Sequence, residues 1–139
     1  MGANRCGQSL ALCRTGFLFT ACFSLQVENY ITDFTFWAEK TGYPGCTACR
    51  VHKGFYEGYV YGLAPQLRRP LRALVQAYPE YTFTVMGHSL GAALAVHFVL
   101  DAVANFTYPQ HISFYTMGEP SVGNAAFMEH LEMQTTLGQ

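Results

Sequence analysis

Charge is scarce in this chain. Among 139 residues there are 8 Lys and Arg and 9 Asp and Glu, so 12% of positions are charged and the formal net charge is -1. No block of like charge exists, and Arg68-Arg69 is the only basic cluster. That removes the electrostatic footprint on which nucleic-acid binding depends. Long apolar runs are missing as well, since no segment approaches the roughly 18 uninterrupted apolar residues of a membrane-spanning helix. No internal repeat or low-complexity tract is present, which excludes a solenoid or a solvated tail. Cysteines number five, Cys6, Cys13, Cys22, Cys46 and Cys49, and the odd count leaves at least one thiol outside any intramolecular pair. Cys46, Cys49 and His52 offer three metal donors with no second cluster to complete four, which argues against a structural zinc site. A thioredoxin-like pair would sit at a helix start after a strand, and the loop around Cys46 does not supply one.

What remains is apolar. Half of the residues are hydrophobic, enough at this length for one compact domain over 1–139, with 1–16 an amino-terminal segment the pattern does not assign. The run "GFLFTACFSL" predicts a buried strand at 17–23. A signal peptide, with Arg5 and Arg14 as its basic region, fits less well, because the run is short, starts late and is followed by no small-x-small cleavage pattern. Val27, Tyr30, Ile31 and Phe34 then fall at i, i+3, i+4 and i+7, the spacing of a short amphipathic helix within 25–37. "TGYPGCTACR" breaks the chain. From 54 to 78 Phe55, Tyr59, Leu63, Leu67, Leu71, Leu74 and Tyr78 recur at helical spacing, with a kink or restart expected at Pro65 and Pro70.

A strand, a helix and a strand follow: "YTFTVMG" (81–87) is β-rich, 90–106 is apolar almost all round, and "HISFYTM" (111–117) is β-rich again. A helix apolar on every side is a buried one. Crossovers of this length join parallel strands, so the fold class is α/β. Between the first strand and the helix stands Gly87-His88-Ser89-Leu90-Gly91. G-x-S-x-G in a strand–turn–helix context is the pattern of a nucleophile elbow, whose glycines let strand and helix approach closely. Ser89 is therefore the candidate nucleophile. The positive end of the helix behind it, with the N–H of Leu90, suits a developing oxyanion.

Three blocks, "VHKGFYEGY", "YPEYTFTVMGHSLGAALA" and "FYTMGEPSVGNAAF", resemble successive signature blocks of the class 3, fungal-type lipases, a family that includes feruloyl esterases. The resemblance implies an α/β-hydrolase fold, a three-layer sandwich with a mostly parallel sheet, here incomplete at both ends. It implies a Ser–His–Asp triad and carboxylic-ester hydrolysis without a cofactor or metal. Carried position by position, Ser89 is the catalytic nucleophile and the Leu90 amide one oxyanion donor. Ser24 falls where the family has its second oxyanion residue, with Cys22-Phe23 in place of Arg-Gly. Residues 25–37 occupy the lid, whose apolar face suits a lipid ester at a lipid–water interface. "PGCTACRVH" is similar to the feruloyl-esterase branch, which implies a Cys46–Cys49 disulfide and a secreted protein. The Asn105-Phe106-Thr107 sequon agrees with secretion.

The triad order implied is Ser, Asp, His. His88 belongs to the elbow motif and is not the base. His97 lies eight positions along the elbow helix, about 12 Å at ~1.5 Å per residue. His111 opens a strand at the wrong edge, and His130 stands on the last helix; these three are expected as surface or packing histidines. Asp101 is expected on outer turns of the buried helix, and Glu119 on a loop without a catalytic role. The expectation is a chain that ends before the triad Asp and His. Lipase is the first reading, with a feruloyl esterase-like hydrolase or a catalytically incomplete fragment as alternatives.

Overall fold

The computed structural model describes residues 8–13, 16–22, 38–106 and 111–136. A four-stranded sheet holds β1 (Gln8–Cys13), β2 (Gly16–Cys22), β5 (Thr82–His88) and β6 (Ile112–Met117) in the order β1-β2-β5-β6. β1 runs antiparallel to β2, while β2, β5 and β6 are parallel. A separate two-stranded ribbon pairs β3 (Ala38–Lys40) with β4 (Arg50–His52). The strand expected at 17–23 is β2 shifted by one residue, and the unassigned amino-terminal segment supplies β1.

The β5–β6 crossover is made by α3 (Leu90–Asn105). Every residue from Gly91 to Ala102 is buried, because α3 packs against β2, β5 and β6 and also against α1 (Lys53–Glu57) and α4 (Ala125–Thr136). Phe83, Val85 and Gly87 alternate as the buried positions of β5, the period-two pattern of a strand with one face on the core.

The helical run expected over 54–78 forms, with its register broken where the prolines demand it. α1 passes into a π-helical segment, Gly58–Leu63, and then into α2 (Ala64–Ala77). Pro65 lands in the first turn of α2, directly after the π-helical segment. The wider turn is seen in the Ala64 N–H, which reaches back to the Tyr59 carbonyl, and the Gly62 carbonyl is served by Gln66 Nε2 at 2.7 Å. Pro70 is inside α2 on its exposed side, where water can serve the carbonyl it leaves unpaired. Phe55, Tyr59, Leu63 and Leu71 are buried and Leu67 and Leu74 pack against them, but Tyr78 is exposed. The amphipathic stretch 25–37 lies outside the described residues.

Candidate active site

The carboxyl ends of three parallel strands meet at one edge: Cys22 pairs with His88, and His88 with Met117. Immediately after His88 the chain turns through Ser89 at φ 54 and ψ -125 before α3 begins. Ser89 is the one non-glycine residue with positive φ among the described residues, a conformation worth about 1–3 kcal/mol of strain. Local contacts hold it. The Ser89 N–H donates to the Met117 carbonyl at 3.0 Å, and the Ser89 carbonyl accepts from Ala92 N at 2.9 Å and Ala93 N at 3.3 Å. A Cβ on Gly87 would stand 2.6 Å from Ala92 Cα and from the Gly91 carbonyl oxygen, so only glycine lets β5 and α3 approach this closely. The N–H groups of Leu90 and Gly91 belong to the first turn of α3, where no intrahelical acceptor exists, and they face the positive end of the helix dipole.

β6 ends in the same place. Gly118 turns at φ 58, with His88 Nε2 3.7 Å from where its Cβ would be. Glu119 follows; burial pushes its carboxyl up from the usual range, opposed by a hydrogen bond from the Thr116 side chain. Ser24 lies outside the described residues, two positions past the end of β2.

All five histidines fall within the described residues, and none of them hydrogen-bonds the Ser89 hydroxyl. His52 ends β4 and stacks on Phe55 at 4.2 Å, and burial lowers its pKa. His88 is exposed and turned over Gly118. His111 precedes β6, at the opposite edge of the sheet. His130, on α4, is buried against the outer half of α3. His97 is fully buried in a cluster of Tyr43, Tyr56, Tyr59 and Phe127. Its Nδ1 is 3.2 Å from the Tyr43 hydroxyl, which also donates to the His97 carbonyl at 3.3 Å. Burial lowers the His97 pKa to about 3.

Asp101 lies on the outer turns of α3 as expected, and it is buried there, 3% exposed. It accepts from the Tyr59 hydroxyl at 2.6 Å, Arg68 Nε at 3.2 Å and Nη2 at 3.0 Å, and Asn105 Nδ2 at 2.8 Å. These bonds satisfy a carboxylate that could not otherwise be buried. The sequon asparagine thus has its amide committed, with a further bond to the Asp101 carbonyl at 3.1 Å.

Cys46 and Cys49 are joined by a disulfide with Cα atoms 5.4 Å apart. Both sulfurs lie against the Ala126 carbonyl, at 3.7 and 3.5 Å. Asn124 completes the fastening: its Oδ1 accepts from Arg50 N at 3.0 Å and Phe127 N at 3.1 Å, and its Nδ2 donates to the Ala48 carbonyl at 3.0 Å. One side chain so caps α4 and ties it to the disulfide loop. Among the described residues no group of three or more His, Cys, Asp or Glu is placed to hold a metal ion, and no helix is long and apolar enough to cross a membrane.

Residues 23–137 match the family Lipase (class 3). The chain belongs to the class 3 lipases. This class 3 lipase chain is 33% identical over 114 residues to a lipase of Rhizomucor miehei, covering 78% of itself and 30% of that protein. It is 35% identical over 117 residues to secreted mono- and diacylglycerol lipase 1 of Fusarium solani, covering 81% of itself and 32% of that protein. In three dimensions it resembles the triacylglyceride lipase of Rhizomucor miehei with a TM-score of 0.82 and 27% identity, over 92% of this chain and 49% of that one. It therefore has the α/β-hydrolase fold, and it spans about a third of the length of the curated relatives it matches.

Proposed function

We propose that this class 3 lipase chain is one domain carrying the nucleophile of a carboxylic-ester hydrolase of the triacylglycerol lipase type. The observation that supports it most is the strained Ser89 between β5 and α3, φ 54, a geometry that exposes a hydroxyl at the strand ends, beside unpaired amides. In the reaction a general base takes the Ser89 proton as Oγ attacks the ester carbonyl. The tetrahedral oxyanion accepts hydrogen bonds from the Leu90 N–H and from Ser24. The leaving alcohol departs with a proton from the base, and water then cleaves the acyl-serine by the same steps to release the acid. No cofactor enters.

Relatives named as secreted mono- and diacylglycerol lipases, and a structural neighbour described as a model for interfacial activation, support a secreted protein acting on lipid esters at a lipid–water interface, with 25–37 as its lid. They favour lipid esters over feruloyl esters. That none of the five histidines hydrogen-bonds the Ser89 hydroxyl supports a second reading, in which these 139 residues are catalytically incomplete by themselves. Both are tested by incubating the chain with p-nitrophenyl butyrate and free imidazole as an external base, then mapping acylated peptides by mass. Acyl transfer to Ser89 that requires imidazole is expected; acylation unchanged in Ser89→Ala would defeat the nucleophile assignment.

A further inference from the structure

A cavity of about 350 Å³ opens between the turn at 43–45, the outer half of α3 and α4, walled by Tyr43, Pro44, Leu100, Ala104, His130 and Gln134. Leu100 and Ala104 lie 11 and 15 positions past Ser89, about 16 and 22 Å along the helix at ~1.5 Å per residue. The cavity is therefore separate from the elbow.

His130 is its distinctive group. The imidazole is 4% exposed and lines the cavity while making no hydrogen bond to another described residue, so its polar atoms are served through the cavity, by water or by a guest. Gly45, at φ 88, carries the backbone over the ring, with a notional Cβ 3.7 Å from His130 Cε1. Gln134 adds a carboxamide, and neither an acidic side chain nor Lys or Arg lines the space. The rest of the wall is hydrocarbon and the Tyr43 ring, whose hydroxyl is already held by His97, so the wall is set before any ligand arrives.

Two N–H donors in the wall of a small, largely apolar cavity suit a carboxylate with a short hydrocarbon body. The volume is that of about a dozen water molecules, which suits a small acid. We propose that this cavity binds a short-chain monocarboxylate, the carboxylate accepting from the His130 imidazole and the Gln134 amide and the chain lying on Leu100, Ala104 and Pro44. A carboxylic acid is also what ester hydrolysis at Ser89 would release, but the site does not rest on that reading and a chain with an inert Ser89 tests it equally well.

The test is a titration of sodium hexanoate into the 139-residue chain, following the side-chain resonances of His130 and Gln134 by NMR. Ala104 is exposed, so Ala104→Leu narrows the cavity without disturbing the core; His130→Phe removes the donor. Saturable shifts of both groups are expected, unchanged in Ser89→Ala. Binding should weaken at least about tenfold in either cavity variant and for hexanol in place of hexanoate, the weight of one charge-assisted hydrogen bond or a blocked wall. No saturable shift, an undiminished response in Ala104→Leu, or equally tight hexanol binding would each overturn the assignment.

Discussion

Acid should destabilise this domain chiefly through one buried side chain, His97, with His52, whose pKa burial also lowers, adding in the same direction. The His97 imidazole is 0% exposed and its Nε2 has no hydrogen-bond partner. With the Tyr43 hydroxyl donating to the His97 carbonyl, Nδ1–H donates to the Tyr43 oxygen and Nε2 is left as a bare acceptor, the cheaper group to bury. Protonation would add a charge and a second unserved donor among aromatic rings. Burial accordingly lowers the pKa from 6.5 to about 3. A depressed folded-state pKa means the unfolded chain binds more protons between these values, so the stability present above pH 6.5 is lost as pH falls toward 3. The loss is about 3 kcal/mol at pH 4 and approaches about 5 kcal/mol below pH 3. Against a typical total of about 5–15 kcal/mol that is enough to unfold the domain. Glu119 acts in the opposite direction: its raised pKa favours the folded state on acidification. The assay is urea unfolding at several pH values between 7 and 4 for the native chain and His97→Leu, in which the Tyr43 hydroxyl keeps the residue-97 carbonyl as acceptor. The variant should lose the steep acid limb. Parallel losses of stability in the two proteins would refute the reasoning.

Gly87→Ala should cost at least about 3 kcal/mol, the upper range of overpacking, because its Cβ meets backbone atoms that cannot yield; a melting temperature near that of the native chain would contradict this. Asp101→Ala should cost about 1–3 kcal/mol by leaving the buried Tyr59 hydroxyl unserved, Arg68 being free to turn to water, measurable by denaturant unfolding. Reduction of Cys46–Cys49 should add two hydrogens to the intact mass and lower stability by only about 2 kcal/mol, since the closed loop is short.

The elements around Ser89 were legible because each carries its own local signal. β5 and β6 were placed within a residue by β-branched and aromatic runs, and the elbow by two glycines around a serine. The π-helical segment was not legible, because Phe55, Tyr59 and Leu63 keep a spacing of four that suits an α-helix, and only the restart at Pro65 hinted at a wider turn. The polar ring around α3 was hidden by the apolar character of the helix. Asp101 reads as an outer residue until Arg68, 33 positions away, and Tyr59, 42 away, are folded against it. Tyr43, 54 positions from His97, offered no local cue at all. Asn124, which caps α4 and grips the disulfide loop, was visible only as part of a family block.

Hydrolysis of p-nitrophenyl butyrate by the folded chain, measured beside Ser89→Ala with no external base added, bears most directly on the state of the Ser89 hydroxyl. A serine without a proton acceptor is a weak nucleophile, so the two proteins should turn over the ester at rates within about tenfold of each other. A drop of about a hundredfold or more in Ser89→Ala would mean that one of the five histidines serves the hydroxyl as its base, contradicting the account that none of them does.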